Sequence, residues 1–276
     1  MRITILGSGG GESYPAAFCS CEHCETARRL GGKNIRTLSQ TLIDDDLLID
    51  FPADTSIHCA QNGINLGKIS NILITHPHMD HYYPNLANLR RKPYAHALKY
   101  EYLNIYGPGV LKKMYDCSVD LFGDSSGEEK VHFVPMEGRQ TETIGEYSVT
   151  ALKANHALDL GALNYLIEKN NKRLLYLLDT GYPTQDTFDY LRSMNKHIDC
   201  LMMDCTMGNG SWVHHMGFAE NKKLKQEMLS MGIVSETTKF VITHITHNHC
   251  GSHEEIEKEF QSTGILVAYD GMKLEV

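Results

Sequence analysis

The 276-residue chain contains no apolar run near the ~20 residues that a membrane-spanning helix requires. It has no excess of positive charge: 26 lysines and arginines face 34 aspartates and glutamates, a formal net charge of −8. Such a chain repels polyanions unless it concentrates cations locally, and its basic clusters, Arg28-Arg29, Arg90-Arg91-Lys92 and Lys222-Lys223, are scattered. A long nucleic acid is therefore a poor partner, and a small anionic substrate fits better. Low-complexity tracts, internal repeats and linkers are missing too, which excludes repeat architectures. The opening MRITILGSGGGESYP holds only a short apolar run, Ile3–Leu6, far below the hydrophobic region of a secretory leader. It reads as a strand entering a glycine-rich loop. We expect a cytoplasmic protein, no membrane association, and reduced thiols.

Hydrophobic content of 42% and charged content of 22% are ordinary for a globular protein with a substantial core. The unusual counts are 15 histidines and eight cysteines. In a reducing compartment, cysteines at that number favour metal ligation or burial over disulfides. Short apolar runs separated by turn signals predict strands at Ile3–Leu6, Thr41–Ile43, Leu47–Ile49, Ile72–Ile74, Val131–Val134, Tyr147–Ala151, Ala162–Ile167, Leu174–Leu178, Leu201–Met203, Phe240–Ile242 and Ile265–Ala268. Asp44-Asp45-Asp46 reads as a hairpin turn. Helices are expected over 53–62, 108–116, 184–194, 217–231 and 252–260, with Thr184 and Ser252 as N-caps and Glu255 completing a capping box. Strands with helices between them imply a layered α/β domain.

The densest histidine group follows a strand directly, in NILITHPHMDHYYP, residues 71–84. In an extended turn alternate side chains point the same way, so His76 and His78 can share a metal. Asp80 and His81 then project elsewhere and can begin a second site. A carboxylate beside imidazoles suits Zn, Mn or Fe. The bland reading, a polar surface loop, explains one histidine better than four ligand-type residues packed behind an apolar strand.

The His76-x-His78-x-Asp80-His81 pattern resembles the signature of the metallo-β-lactamase superfamily. That resemblance implies an αββα sandwich of two mixed β-sheets flanked by helices, one domain over 1–276, with a pocket-shaping insertion around 82–130. It also implies further ligands at strand ends, and His156, Asp179 and His244 stand in the required order. Carried over residue by residue, His76, His78 and His156 bind one divalent ion. Asp80, His81 and His244 bind a second, and Asp179 bridges the two, with an attacking hydroxide between them. Asp80 is counted among the catalytic residues as well as the ligands.

Cys19, Cys21 and Cys24 lie side by side in CSCEHC, in what reads as a loop after the first strand. Three close thiols make three-quarters of a tetrahedral zinc site. Candidates for the fourth ligand are His23 nearby and His247, His249, Cys250 and His253 in THITHNHCGSH. A narrower resemblance, to the PhnP-like phosphoribosyl cyclic phosphodiesterases of the carbon–phosphorus lyase pathway, rests on the Cys-x-Cys-x-x-Cys loop, the THxxH segment, MetMetAspCysThr at 202–206 and ValAlaTyrAspGlyMet at 267–272. It implies His247 as the fourth ligand of a structural zinc, and a homodimer. A similar cysteine loop occurs in the relative that works in pyrroloquinoline quinone synthesis.

Cleavage of a phosphodiester also needs a proton for the leaving alkoxide. The resemblance implies a general acid before a helix, His215 or, as the alternative, His214. The stretch Gly7–Gly11 could present N–H groups to a phosphate, or could be a plain turn. Tyr82 and Tyr83 could wall the pocket or pack. Cys59, Cys117, Cys200 and Cys205 read as buried. The resulting expectation is a dinuclear Zn, Mn or Fe phosphodiesterase for a small cyclic or nucleoside-type phosphodiester, with 5-phosphoribosyl 1,2-cyclic phosphate leading. The alternatives are a tRNA 3′-processing endonuclease of the RNase Z type and a non-catalytic metal-binding or carrier protein related to pyrroloquinoline quinone synthesis.

Overall fold

The computed structural model describes residues 1–122 and 130–276. β2 (Gln40–Ile43) and β3 (Leu47–Ile49) form the expected hairpin, with Asp44 and Asp45 of its turn in the left-handed region at φ 53° and 86°. They sit inside a seven-stranded sheet whose other members are β1 (Arg2–Gly7), β4 (Asn71–Leu73), β5 (Leu103–Gly107), β6 (Val131–Pro135) and β14 (Met272–Glu275). Its order is β14-β1-β2-β3-β4-β5-β6. A second seven-stranded sheet is built from β7 (Thr141–Ile144), β8 (Tyr147–Lys153), β9 (Leu163–Lys169), β10 (Lys172–Leu177), β11 (Cys200–Asp204), β12 (Lys239–Thr243) and β13 (Ile265–Val267). Its order is β13-β12-β11-β10-β9-β8-β7. Both sheets are mixed: β3 to β6 and β10 to β13 are parallel, and the remaining pairs are antiparallel.

The apolar runs are continuous because both faces of these strands are covered. Ile3, Ile5, Ile43, Ile49 and Leu73 of the first sheet meet Tyr165, Leu174, Tyr176, Met202 and Val241 of the second. The alternate residues Leu42, Leu48, Ile72 and Ile105 face α3 (Val110–Phe122) through Leu111, Tyr115 and Val119. On the far side, Leu175, Leu201, Phe240 and Ile242 pack under α4 (Gln185–Met194), α5 (Phe218–Ser230) and α6 (His253–Phe260), through Phe188, Leu191, Leu224, Met228, Ile256 and Phe260. α2 (Thr55–Asn62) lies against β1. The layers are helix, sheet, sheet, helix, as expected.

Four elements were not predicted. One, β5 (LNIYG), has a short alternating run. α1 (Glu22–Leu30) buries only Cys24 and Ala27, so it lacks the aliphatic stripe that announces a helix. β7 and β14 are edge strands, TETI and MKLE, each with one buried residue. Thr184 stands at the N-cap of α4 without a side-chain cap bond, whereas Ser252 and Glu255 form the full capping box of α6. Within the expected insertion, β5 and α3 are integral parts of the sheet and its helical cover; residues 123–129 lie outside the described residues. Among the described residues no helix is long and apolar enough to cross a membrane.

Candidate metal centre

The strands run so that the ends of β1, β3, β4, β8, β10 and β12 meet at one edge of the sandwich, the usual position of sites on open α/β sheets. Behind β4 the chain turns through His76, His78, Asp80 and His81. His156 follows β8, Asp179 follows β10 and His244 follows β12. Asp179 and His244 take φ of 47° and 59°, a left-handed conformation that aims their side chains back into the crevice and is uncommon without glycine.

The donor atoms of these seven residues form two adjoining groups, His76-His78-His156-Asp179 and Asp80-His81-Asp179-His244, and a third, Asp179-Asp204-His215-His244, overlaps them; within each, all atoms lie within 4.8 Å of one another. Asp179 belongs to all three. Its Oδ2 lies 3.0 Å from His76 Nε2, 3.3 Å from His81 Nε2, 3.4 Å from His156 Nε2 and 3.8 Å from His244 Nε2. Asp80 Oδ2 is 3.1 Å from His81 Nε2 and 3.5 Å from His244 Nε2. Ring nitrogens face each other as well: His156 Nε2 and His78 Nδ1 at 3.1 Å, His81 Nε2 and His244 Nε2 at 3.2 Å. His76 Nε2 is buried and makes no aligned hydrogen bond despite its neighbours. Lone pairs that converge this closely on shared points fit cations better than they fit one another.

The charges agree. Burial pushes His76 down and holds His156 down to about 4, leaving neutral imidazoles of the form that ligates metal. Burial opposes ionisation of Asp80 and Asp179, but His81 beside the first and His244 beside the second outweigh it and hold both carboxyls well below their usual range. His81 and His244 are raised, against burial, by those same carboxylates. Protons on these imidazoles supply the positive charge that divalent cations would replace, so metal uptake releases protons.

Two residues that the motif analysis did not single out orient the ligands. His81 Nδ1 donates to Asp50 Oδ2 at 2.7 Å, and Asp50 Oδ1 accepts from the Thr75 N–H and hydroxyl at 2.8 and 2.9 Å. His244 Nδ1 donates to Thr206 Oγ1 at 2.8 Å, whose hydroxyl donates to Asp204 Oδ2 at 2.9 Å. Such partners fix ring orientation and raise ligand basicity. A signal for Asp50 existed: Leu47-Leu48-Ile49-Asp50 has the same strand-then-carboxylate form as the run ending in Asp179.

The structure separates the two candidate acids. His215 is buried, with Nδ1 3.0 Å from Asp179 Oδ1 and 3.3 Å from Asp204 Oδ2. Burial lowers its proton affinity, yet the two carboxylates prevail and raise it to about 10. His214 instead turns toward the Asn155 carbonyl at 3.3 Å. A cavity of about 270 Å³ opens beside the ligands, lined by His78, Asp80, His156, Asp179, His215 and His244 and, on its outer wall, by Glu12, Met207, Trp212 and Asn248.

Cys19, Cys21, Cys24 and His247 also come together, with donor atoms within 4.8 Å of one another. His247 Nδ1 is 3.5 Å from Cys21 Sγ and 3.7 Å from Cys19 Sγ. A tetrahedral zinc with bonds of about 2.3 Å to sulfur and 2.0–2.1 Å to nitrogen has an S···N edge of about 3.6 Å. Cys21 is lowered to about 6 by the Cys24 backbone N–H, against burial and helped by His247; burial pushes Cys24 up to about 11. The expectation of a loop carrying all three cysteines is corrected: Cys21 is the N-cap residue of α1 and Cys24 lies in its first turn. Two of the other candidates for fourth ligand go elsewhere: His253 sits between Arg36 at 2.9 Å and Glu257 at 2.9 Å, and Cys250 Sγ faces the Cys205 carbonyl.

Other expectations change. The N–H groups of Ser8, Gly9 and Gly10 are taken by Asp270, Thr37 and Ile245, so they cannot cradle a phosphate. This loop is tight because it passes the site: a Cβ on Gly10 would lie 2.8 Å from Thr246 and 3.1 Å from the His244 ring. Tyr82 is core, and Tyr83 is 40% exposed. Cys200 and Cys205 are buried, Cys59 is partly so, and Cys117 is exposed on α3 rather than buried.

A family profile described as Beta-lactamase superfamily domain matches residues 46–245. Coenzyme PQQ synthesis protein B of Methylococcus capsulatus is 24% identical over 99% of both chains. Among solved structures, a diphosphatase from the PhnP family superposes with a TM-score of 0.75 at 19% identity, covering 100% of this chain and 98% of that one. Zn(2+)-bound PqqB from Methylobacterium extorquens gives 0.69 at 19% identity over 100% of both. The profile spans most of the chain and includes the whole ligand cluster except the cysteine site, and the chain accordingly belongs to the β-lactamase superfamily, with its metallo-β-lactamase αββα fold.

Proposed function

We propose that the protein is a metal-dependent phosphodiesterase that hydrolyses a small cyclic or nucleoside-type phosphodiester. The observation that carries this reading is the sharing of Asp179 between two complete ligand sets. His76, His78 and His156 would hold one divalent ion (Zn, Mn or Fe), Asp80, His81 and His244 would hold another, and Asp179 belongs to both sets of donors. A pair of cations in this position lowers the pKa of coordinated water and neutralises charge on a phosphoryl group. Asp50 and Thr206 keep His81 and His244 turned inward. His215, protonated beside Asp179 and Asp204 and open to the cavity, gives its proton to the leaving alkoxide. Cys19, Cys21, Cys24 and His247 would hold a structural zinc that ties the start of α1 to the loop three residues beyond His244.

A cavity of about 270 Å³ suits a small ester better than a folded RNA. The family resemblance supplies 5-phosphoribosyl 1,2-cyclic phosphate as one candidate within the class. The test is turnover by metal-loaded protein of that ester, of a nucleoside cyclic phosphate and of a 3′-extended tRNA precursor. Asp179→Ala is expected to remove at least ~10³-fold of diester hydrolysis and lower the metal bound per chain. Diester hydrolysis that survives this substitution overturns the dinuclear reading; cleavage of the RNA alone assigns the site to RNA processing.

A further inference from the structure

Trp212 is the chain's one tryptophan, and it is not in the core. It lines the cavity beside the ligand cluster and leaves 56% of its surface exposed. The ring is nevertheless held. His215 packs obliquely against it, with centroids 5.2 Å apart at 35°, and His214 meets it edge-on at 5.5 Å and 85°. Its backbone is stapled too: the His215 N–H donates to the Trp212 carbonyl at 3.3 Å, and Asn155 Nδ2 donates to the Val213 carbonyl at 3.0 Å. Gly181 closes on the same turn, since a Cβ there would lie 1.9 Å from the Val213 oxygen. An indole left open to water forgoes the burial that usually places this side chain inside. A fixed, open aromatic face beside a reaction centre is what stacking of a planar base requires. Half-buried Met207 adds apolar surface to the cavity wall.

The polar part of the wall has a different character. Asn248 Nδ2 donates to Glu12 Oε1 at 3.0 Å, and both residues line the cavity. Glu12 Oε1 also lies 3.2 Å from His247 Nε2, which fixes the carboxylate in place. A carboxylate and an amide so placed accept from and donate to hydroxyls, whereas the carboxylate repels a second phosphate. Among the described residues that line this cavity there is no lysine or arginine to offset that repulsion.

Resting on the phosphodiesterase reading, we infer that the substrate is a nucleoside cyclic phosphate, its base stacked on Trp212 and its remaining ribose hydroxyl held by Glu12 and Asn248. Water adds to phosphorus, one P–O(ribose) bond breaks, the departing alkoxide takes a proton, and a nucleoside monophosphate leaves. The substrate carries one negative charge, on the diester.

Kinetics on adenosine 2′,3′-cyclic phosphate and on glycerol 1,2-cyclic phosphate, which has no base, test this. Trp212→Ala is expected to raise KM for the adenosine ester by at least ~5-fold more than for the glycerol ester, and Trp212→Phe to recover most of the difference. Because the chain has no other tryptophan, its fluorescence reads the contact without turnover. Adenosine is expected to quench it saturably in metal-free protein, and ribose 5-phosphate to leave it unchanged. An equal loss on both esters would mean that the ring only positions His215, and the inference falls. It falls also if adenosine leaves the fluorescence unaltered, or if 5-phosphoribosyl 1,2-cyclic phosphate has the higher kcat/KM. If the wild type hydrolyses neither ester, the phosphodiesterase reading fails instead, and the adenosine titration alone decides whether the base site stands.

Discussion

His215 illustrates how much one residue's position decides. Adjacent histidines 214 and 215 are equivalent as sequence, since nothing in their order says which ring enters the crevice. The fold turns one to a carbonyl and the other between two carboxylates. His215→Gln is expected to lower kcat by ~10²–10⁴-fold while KM changes little, the mark of a group needed to protonate the leaving oxygen. An ester whose leaving group needs no proton, such as a p-nitrophenyl diester, is expected to lose much less. Asp50 acts one step further out. Asp50→Ala leaves His81 Nδ1 without its acceptor and is expected to weaken metal binding by ~10–100-fold, measured by competition with a chelator. The cluster of donors was legible because four of them crowd behind one strand. Asp50 was not, because its partner His81 is 31 residues away and only the pairing of β3 with β4 brings them together.

At the scale of elements, the strands were readable for a reason that also limited the reading. Runs such as LLYLL and FVIT are apolar on both faces because the second sheet covers one side and helices the other, so they stand out in any window. Edge strands β7 and β14 and the polar helix α1 bury too little to leave such a trace. The loss of α1 mattered, because it hid the fact that a helix N-terminus presents the cysteines. Cys21 accepts from the Cys24 backbone N–H, which favours the thiolate form that binds metal. His247→Ala removes the one donor of the four that comes from a segment distant in sequence from α1. It is expected to remove one zinc per chain, by elemental analysis, and to lower Tm. The active-site pair should stay loaded, since those ligands belong to other loops. Loss of all metal would show instead that the two centres form together.

Over the whole molecule, the clustered donors come from both sheets: His76 to His81 from the first, His156, Asp179 and His244 from the second. The folded state also depends on pH away from the metals. His58 is buried and pushed down in pKa, although Asp270 and Asp54 face it, and its Nδ1–H donates to Gln40 Oε1 at 2.6 Å. His253 is likewise depressed by burial and then by Arg36, against the pull of Glu257 and with Lys33 adding to the push. Both bind protons less well folded than unfolded. Their stabilisation is therefore complete above the ordinary histidine value of about 6.5 and is lost as pH falls below it, levelling off once the folded groups protonate. With chelator present throughout, the change in urea midpoint from pH 7.5 to 5.5 is expected to be less destabilising in His58→Gln than in the wild type, a difference that separates His58 from the raised histidines of the ligand cluster. The cysteine centre has its own consequence in time. Cys21 and His247 are 226 residues apart. At about 5–20 residues per second, the ribosome delivers the histidine roughly 11–45 s after the thiols. Through that interval the nascent trio lacks His247, so the oxidant and metal supply around the ribosome acts on it before the finished domain can choose.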